Sequence, residues 1–180
     1  KDLRRLEEAE ASYKKTIALK PDYVIAHSNL GDTLHEMRKL DEAEASYRQA
    51  IALKPDFNQA HYNLGITLQD LGRLEEAAAS YRHAIALRPD FAEAHNNLGG
   101  MLKDLGRLEE ALGSFDKAIA LKPDYAEAQH NLVCLLTSYS TQKKLSQPIV
   151  RADQEIKEIN FSAKSAGTLL DDEIIHLFNK

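Results

Sequence analysis

A triplet of proline, aspartate and an aromatic recurs in this chain as Pro21-Asp22-Tyr23, Pro55-Asp56-Phe57, Pro89-Asp90-Phe91 and Pro123-Asp124-Tyr125, each 34 residues after the last. Between the prolines the same phase holds for Leu30-Gly31, Leu64-Gly65 and Leu98-Gly99, then for Ala43, Ala77 and Ala111, then for Tyr47, Tyr81 and Phe115, then for Ala50, Ala84 and Ala118. Cut at 24–57, 58–91 and 92–125, the second and third units agree at 21 of 34 positions. A period of this size marks a stacked solenoid, in which each unit buries its apolar face on its neighbours.

Each unit holds two patterns with apolar residues three and four apart, such as Leu30, Leu34 and Met37 over 24–37, and Ala43, Tyr47, Ala50 and Ile51 over 41–54. That spacing draws one stripe along each of two helices, so the expected unit is a helical hairpin. Small residues at Gly31 and Ala43 let two axes approach, and Tyr47 is expected to fill space between neighbouring hairpins. Pro55 ends one hairpin, and the Asp56 carboxylate is placed to cap free N–H groups of the next. The fold class is therefore all-α.

Composition narrows the function. Lys and Arg number 23 against 28 Asp and Glu, a formal charge of -5, which gives no field able to gather a nucleic-acid backbone. No apolar run approaches the ~18 residues of a membrane span, and the first residues carry no secretory pattern. Cys134 is the only cysteine, so no internal disulfide forms, and an intracellular, cytoplasmic setting is the expectation. The expected partner is a protein or peptide, with neither nucleic acid nor membrane.

The run of Leu-Gly, Ala, aromatic, Ala and Pro at these spacings resembles the tetratricopeptide repeat. The resemblance implies a right-handed superhelix of helical hairpins that holds a segment of another protein in a concave groove lined by the first helix of every repeat. On this pattern 24–57, 58–91 and 92–125 are whole repeats, 1–23 is the second helix of an earlier one, and 126–141 is the first helix of a later one. Lys1 therefore falls inside a repeat, as in an excised piece. Residues 142–180 leave the pattern. Pro148 starts a helical stretch through Ile159, and Thr168 with Asp171 reads as the cap of a short helix ending near Phe178. This tail is either a helical cap on the solenoid or a linker toward a further domain.

Position six of each repeat is asparagine: Asn29, Asn63, Asn97 and Asn131. An amide offers two donors and an acceptor, which suits extended peptide backbone, so four in a row form a candidate peptide-binding ladder. The competing role is local, a bond from each side chain to backbone of the neighbouring helix. Position five, with Tyr62, Asn96 and His130 after Ser28, and outer positions such as Asp32 and Lys103 complete the candidate groove. Its mildly acidic character suits a basic or neutral segment.

Ala-His-x-Asn-Leu-Gly and Leu-Gly-Arg-Leu-Glu-Glu-Ala are similar to the repeats that precede the catalytic domain of O-linked N-acetylglucosamine transferases. That resemblance implies that Asn29, Asn63, Asn97 and Asn131 contact the backbone of the protein to be glycosylated, and makes the chain a substrate-recruiting arm. The family branch that grips a C-terminal carboxylate uses groove lysines, and positions two and five here carry none. Two alternatives stand beside a peptide scaffold: a self-associating homo-oligomer, and the regulatory arm of a transferase.

An enzyme reading has little to build on. His27, His61 and His95 are copies of position four, one per hairpin, and hairpins ~10 Å apart are too distant to share a metal with bonds of ~2 Å. His176 has no acid, base or nucleophile set around it, Lys143-Lys144 is a short basic run, and Cys134 reads as a small filler. No catalytic residue, metal or cofactor is expected.

Overall fold

The computed structural model describes residues 3–138, and the chain divides into two compact units, Lys1–Leu135 and Leu136–Lys180. The expected helices at Pro148–Ile159 and Thr168–Phe178, His176, and the whole of 142–180 lie outside the described residues.

The first unit is an all-α solenoid. Its helices are α1 (Leu3–Leu19), α2 (Val24–Glu36), α3 (Leu40–Leu53), α4 (Asn58–Asp70), α5 (Leu74–Leu87), α6 (Ala92–Asp104) and α7 (Leu108–Leu121), followed by the helical residues 126–135, called α8. α2 pairs with α3, α4 with α5 and α6 with α7, and each second helix packs on the first helix of the next pair. α2 and α3 fall within one residue of the stretches 24–37 and 41–54 read from the periodicity.

A glycine and an aromatic ring close each hairpin. Tyr47, Tyr81 and Phe115 are fully buried, and their rings lie on Gly31, Gly65 and Gly99 of the paired first helix. Tyr47 thus fills space inside its own hairpin, a correction to its expected place between hairpins. Each such ring contributes roughly 1.5–3 kcal/mol by leaving water. The hairpin turns use left-handed residues, Gly72 and Gly106 at φ 74° and Arg38 at φ 60°. The next N–H in each turn reaches back to the helix, as Arg73 N–H does to Leu68 O at 2.9 Å, so the turn satisfies carbonyls that the helix end leaves open.

The turns between repeats are fixed by side chains. His27, His61 and His95 place Nε2 2.8, 2.9 and 3.1 Å from the carbonyl oxygens of Pro21, Pro55 and Pro89. A carbonyl only accepts, so Nε2 carries the proton in each. In the fourth copy Gln129 does the same to Pro123 at 2.6 Å. The preceding cation covers the aromatic of the triplet, with Lys20, Lys54, Arg88 and Lys122 lying 5.3, 5.8, 3.3 and 5.1 Å from the ring centres of Tyr23, Phe57, Phe91 and Tyr125. The aspartate does not cap: the N-cap residues are Tyr23, Phe57 and Phe91, without a side-chain cap bond. Asp56 contributes its backbone oxygen instead, which accepts from the Asn58 N–H at 3.0 Å.

Second helices are stitched by ion pairs. Glu10 meets Lys14 at 2.6 Å and Lys39 at 2.8 Å, and Glu44 meets Arg48 at 2.8 Å and Arg73 at 2.6 Å. Alanine 78 takes that position in the third copy, and Arg107 there pairs with Glu110 at 2.7 Å.

Candidate functional site

Position six follows the buried stripe of each first helix by one step, so its side chain emerges at the edge of the core. Asn29, Asn63, Asn97 and Asn131 are all half-buried. Three of them reach back to the first helix of the preceding repeat. Asn63 Nδ2 donates to Asp32 Oδ1 at 2.7 Å, Asn97 Nδ2 to the Tyr62 hydroxyl at 3.2 Å, and Asn131 Nδ2 to Asn96 Oδ1 at 3.0 Å. These bonds run from α4 to α2, from α6 to α4 and from α8 to α6, and they draw the first helices into one polar row. Asn29 has no first helix before it within the described residues and makes no such bond.

The row extends sideways. Asp32 Oδ1 also accepts from the Tyr47 hydroxyl at 2.7 Å, and Asn63 Oδ1 accepts from Gln59 Nε2 at 2.9 Å. Asn96 is only 2% exposed and donates to Glu127 Oε1 at 3.1 Å, and more weakly to Asn97 Oδ1 at 3.4 Å. Its amide is a hub inside the row. Tyr62 packs its ring 4.6 Å from that of Phe91 and 5.8 Å from that of Tyr81. His130 is exposed, with Nε2 3.5 Å from Cys134 Sγ, and Lys103 is exposed with Nζ 3.9 Å from Asp104. The structure therefore joins Asn63, Asn97, Asn131, Asp32, Tyr62 and Asn96 through hydrogen bonds and leaves Asn29, His130 and Lys103 outside that network.

Electrostatics follow from burial. Tyr47 and Tyr81 have phenols pushed well above the ordinary range by loss of water, and the Asp32 carboxylate adds to the effect on Tyr47. Tyr125 is pushed up to about 12, mainly by burial and then by Glu127 and Glu93. All three stay protonated at neutral pH. Asp70 is held at 2.7 Å by Arg38, which offsets part of the acidity read from the sequence.

Sequence reasoning did not find Gln59 or Glu127 as members of the row. Their position two carries Ile, Gln, Glu and Glu in successive repeats, and nothing in that variation announces contact with an amide.

Two open clefts of about 420 and 600 Å³ lie between second helices, and their linings are residues 34 apart. Arg48, Ile51, His61 and Glu76 line one, and Arg82, Ile85, His95 and Glu110 the other. They are products of the repeat. Among the described residues no group of three or more His, Cys, Asp or Glu is placed to hold a metal, and no helix is long and apolar enough to cross a membrane.

Profiles described as "TPR repeat" match residues 2–38 and 36–72, and one described as "Tetratricopeptide repeat" matches 62–126. The chain belongs to the tetratricopeptide-repeat family. No curated protein matches it significantly. Solved structures show the same tetratricopeptide fold. The chain is similar to MamA, at 22% identity and a TM-score of 0.65 over 77% of this chain and 91% of that one. It is similar to YrrB, a TPR protein with an unusual peptide-binding site, at 25% identity and a TM-score of 0.69 over 78% and 73%. It is also similar to the first TPR of Spaghetti (RPAP3), bound to an HSP90 peptide, at 21% identity and a TM-score of 0.64 over 65% and 93%.

Proposed function

We propose that this protein is a peptide-binding scaffold, and that the face formed by α2, α4, α6 and α8 holds an extended segment of another protein. The observation that carries this reading is the row of position-six asparagines, aligned by bonds between successive first helices. Asn63, Asn97 and Asn131 line their amides along this face, and such amides suit the extended backbone of a partner. The peptide-bound Spaghetti domain and the peptide site named for YrrB support the same use of this fold. Asn29, His130 and Lys103 would extend the contact surface beyond the hydrogen-bonded centre. The setting we assign is intracellular.

The finer reading, a substrate-recruiting arm like that of O-linked N-acetylglucosamine transferases, rests on the asparagine positions and the two repeat motifs. Self-association is the second reading. It is motivated by Leu3, Leu19, Tyr23 and Ile25, large apolar side chains 58, 79, 41 and 43% exposed around α1 and the start of α2.

The test is selection from a random peptide library on the intact chain, followed by affinity measurement for the variants Asn63→Ala and Asn97→Ala. Each is expected to weaken a selected peptide by roughly three- to tenfold, the value of one net hydrogen bond. Unchanged affinity with unchanged folding would discard the ladder. Sedimentation across a concentration range tests the second reading, which a persistent monomer excludes.

A further inference from the structure

The rungs of the inner row do not share one acceptor, and position five decides which acceptor each asparagine meets. Ser28 is short and 3% exposed, so Asn63 bonds instead to the Asp32 carboxylate, one turn further along α2. Tyr62 is long enough to bring its hydroxyl to Asn97, and Asn96 presents an amide oxygen to Asn131. The Asn97 rung is the longest of the three at 3.2 Å, and its acceptor is an uncharged phenol.

Tyr62 is half-buried and differs from the buried Tyr47 and Tyr81 in how its proton is used. Tyr47 donates to Asp32 and Tyr81 donates to Gln69 Oε1 at 3.0 Å. Tyr62 accepts from Asn97, and its own O–H has no acceptor among the described residues. Contacts with Phe91 and Tyr81 fix the ring, so the hydroxyl is aimed before any partner arrives and little rotamer freedom is lost on binding. Burial raises the phenol above its ordinary value, against a smaller opposing pull from Asn97, so the proton is present at neutral pH.

We propose that Tyr62 is a partner-contacting residue of the inner face, whose phenol holds the Asn97 amide and donates its own proton to a backbone carbonyl oxygen of the bound segment. This rests on the peptide-binding reading and deepens it. Tyr62, held by the Asn97 amide, is the donor at the middle of the row, where the partner's main chain is anchored.

The experiment uses the intact chain, a peptide selected by it from a random library, and the variants Tyr62→Phe, Asn97→Ala and their combination. Phenylalanine keeps the ring contacts, so the melting temperature should stay close to that of the wild type. Tyr62→Phe should weaken the peptide by roughly three- to tenfold, and the double variant should weaken it by less than the product of the single effects. A thioamide scan of the peptide, which blunts one carbonyl acceptor at a time, should reveal a position that matters to the wild type and not to Tyr62→Phe. A purely structural tyrosine would not erase one peptide position. Wild-type affinity in Tyr62→Phe, or multiplying effects with no thioamide position lost, overturns the proposal while loss of binding in Asn63→Ala keeps the peptide-binding reading. Failure of the wild type to retain any peptide overturns both.

Discussion

The ring of Tyr81 lies across the backbone of Gly65, where a β-carbon would stand 2.7 Å from Cε1 of the ring. The same approach recurs at Gly31 with Tyr47 and at Gly99 with Phe115, at 2.6 and 2.7 Å. Tyr81 is fully buried, so it cannot swing away without displacing the core around Leu64, Leu68 and Ala77. The fixed spacing of glycine and aromatic within each repeat is therefore one contact made three times along the chain.

Gly65→Ala should lower stability by up to about 2 kcal/mol, because an overpacking cost of about 1–3 kcal/mol outweighs alanine's better helix propensity of about 1 kcal/mol. Gly113 supplies the control. It sits in α7 with nothing within 4 Å of an added β-carbon, and Gly113→Ala should raise stability by roughly 0.5–1 kcal/mol. Urea midpoints of the two variants should move in opposite directions.

His61 holds the turn oxygen of Pro55, and Gln129 holds that of Pro123 by the same geometry. His61→Gln should therefore keep most of the stability, whereas His61→Ala should lose about 0.5–1.5 kcal/mol with the hydrogen bond. Equal losses in both variants would mean that the imidazole ring, stacked 5.4 Å from that of His83, matters more than its N–H.

Arg38 adopts a left-handed backbone at φ 60°, where the equivalent turns carry Gly72 and Gly106. Arg38→Gly should raise stability by roughly 0.5 kcal/mol, since relief of ~1 kcal/mol of backbone strain exceeds the value of an exposed ion pair. That pair is with Asp70 at 2.7 Å. In an Asp70→Asn background the same substitution should stabilise by more, which thermal melts of the four proteins will show.

Acid should loosen the solenoid in two stages. Burial pulls His95 below its ordinary value of 6.5, so the unfolded chain takes up the proton first, and stability falls as pH drops through about 6.5. The carboxyl of Glu10 is held below its ordinary 4.5, first by its hydrogen bond with Lys14 and then by that with Lys39, so its contribution is present above about 4.5 and is lost below. Urea midpoints measured from neutral to acid pH should show a shallower first stage in His95→Gln and a shallower second stage in Glu10→Gln. A profile in His95→Gln that matches the wild type would remove His95 from this account.

By itself the sequence determined the repeat. The four Pro-Asp-aromatic triplets gave the phase, the three-and-four spacing gave paired helices, and Gly31 with Ala43 gave the close approach of two axes, because these features depend on backbone preference and side-chain size at fixed separations, whereas the place of the Tyr47 ring on Gly31 was decided by the fold. It also marked the position-six asparagines as a row. Only the tertiary structure decided what each asparagine touches. The acceptors Asp32, Tyr62 and Asn96 lie 31 or 35 residues away, and whether Asn63 meets a carboxylate or Asn97 a phenol depends on how far a side chain at position five reaches once two hairpins are stacked. The same holds for the histidines: their period was plain, but a bond from His61 to the oxygen of Pro55 exists only after the turn has folded back on the helix that follows it.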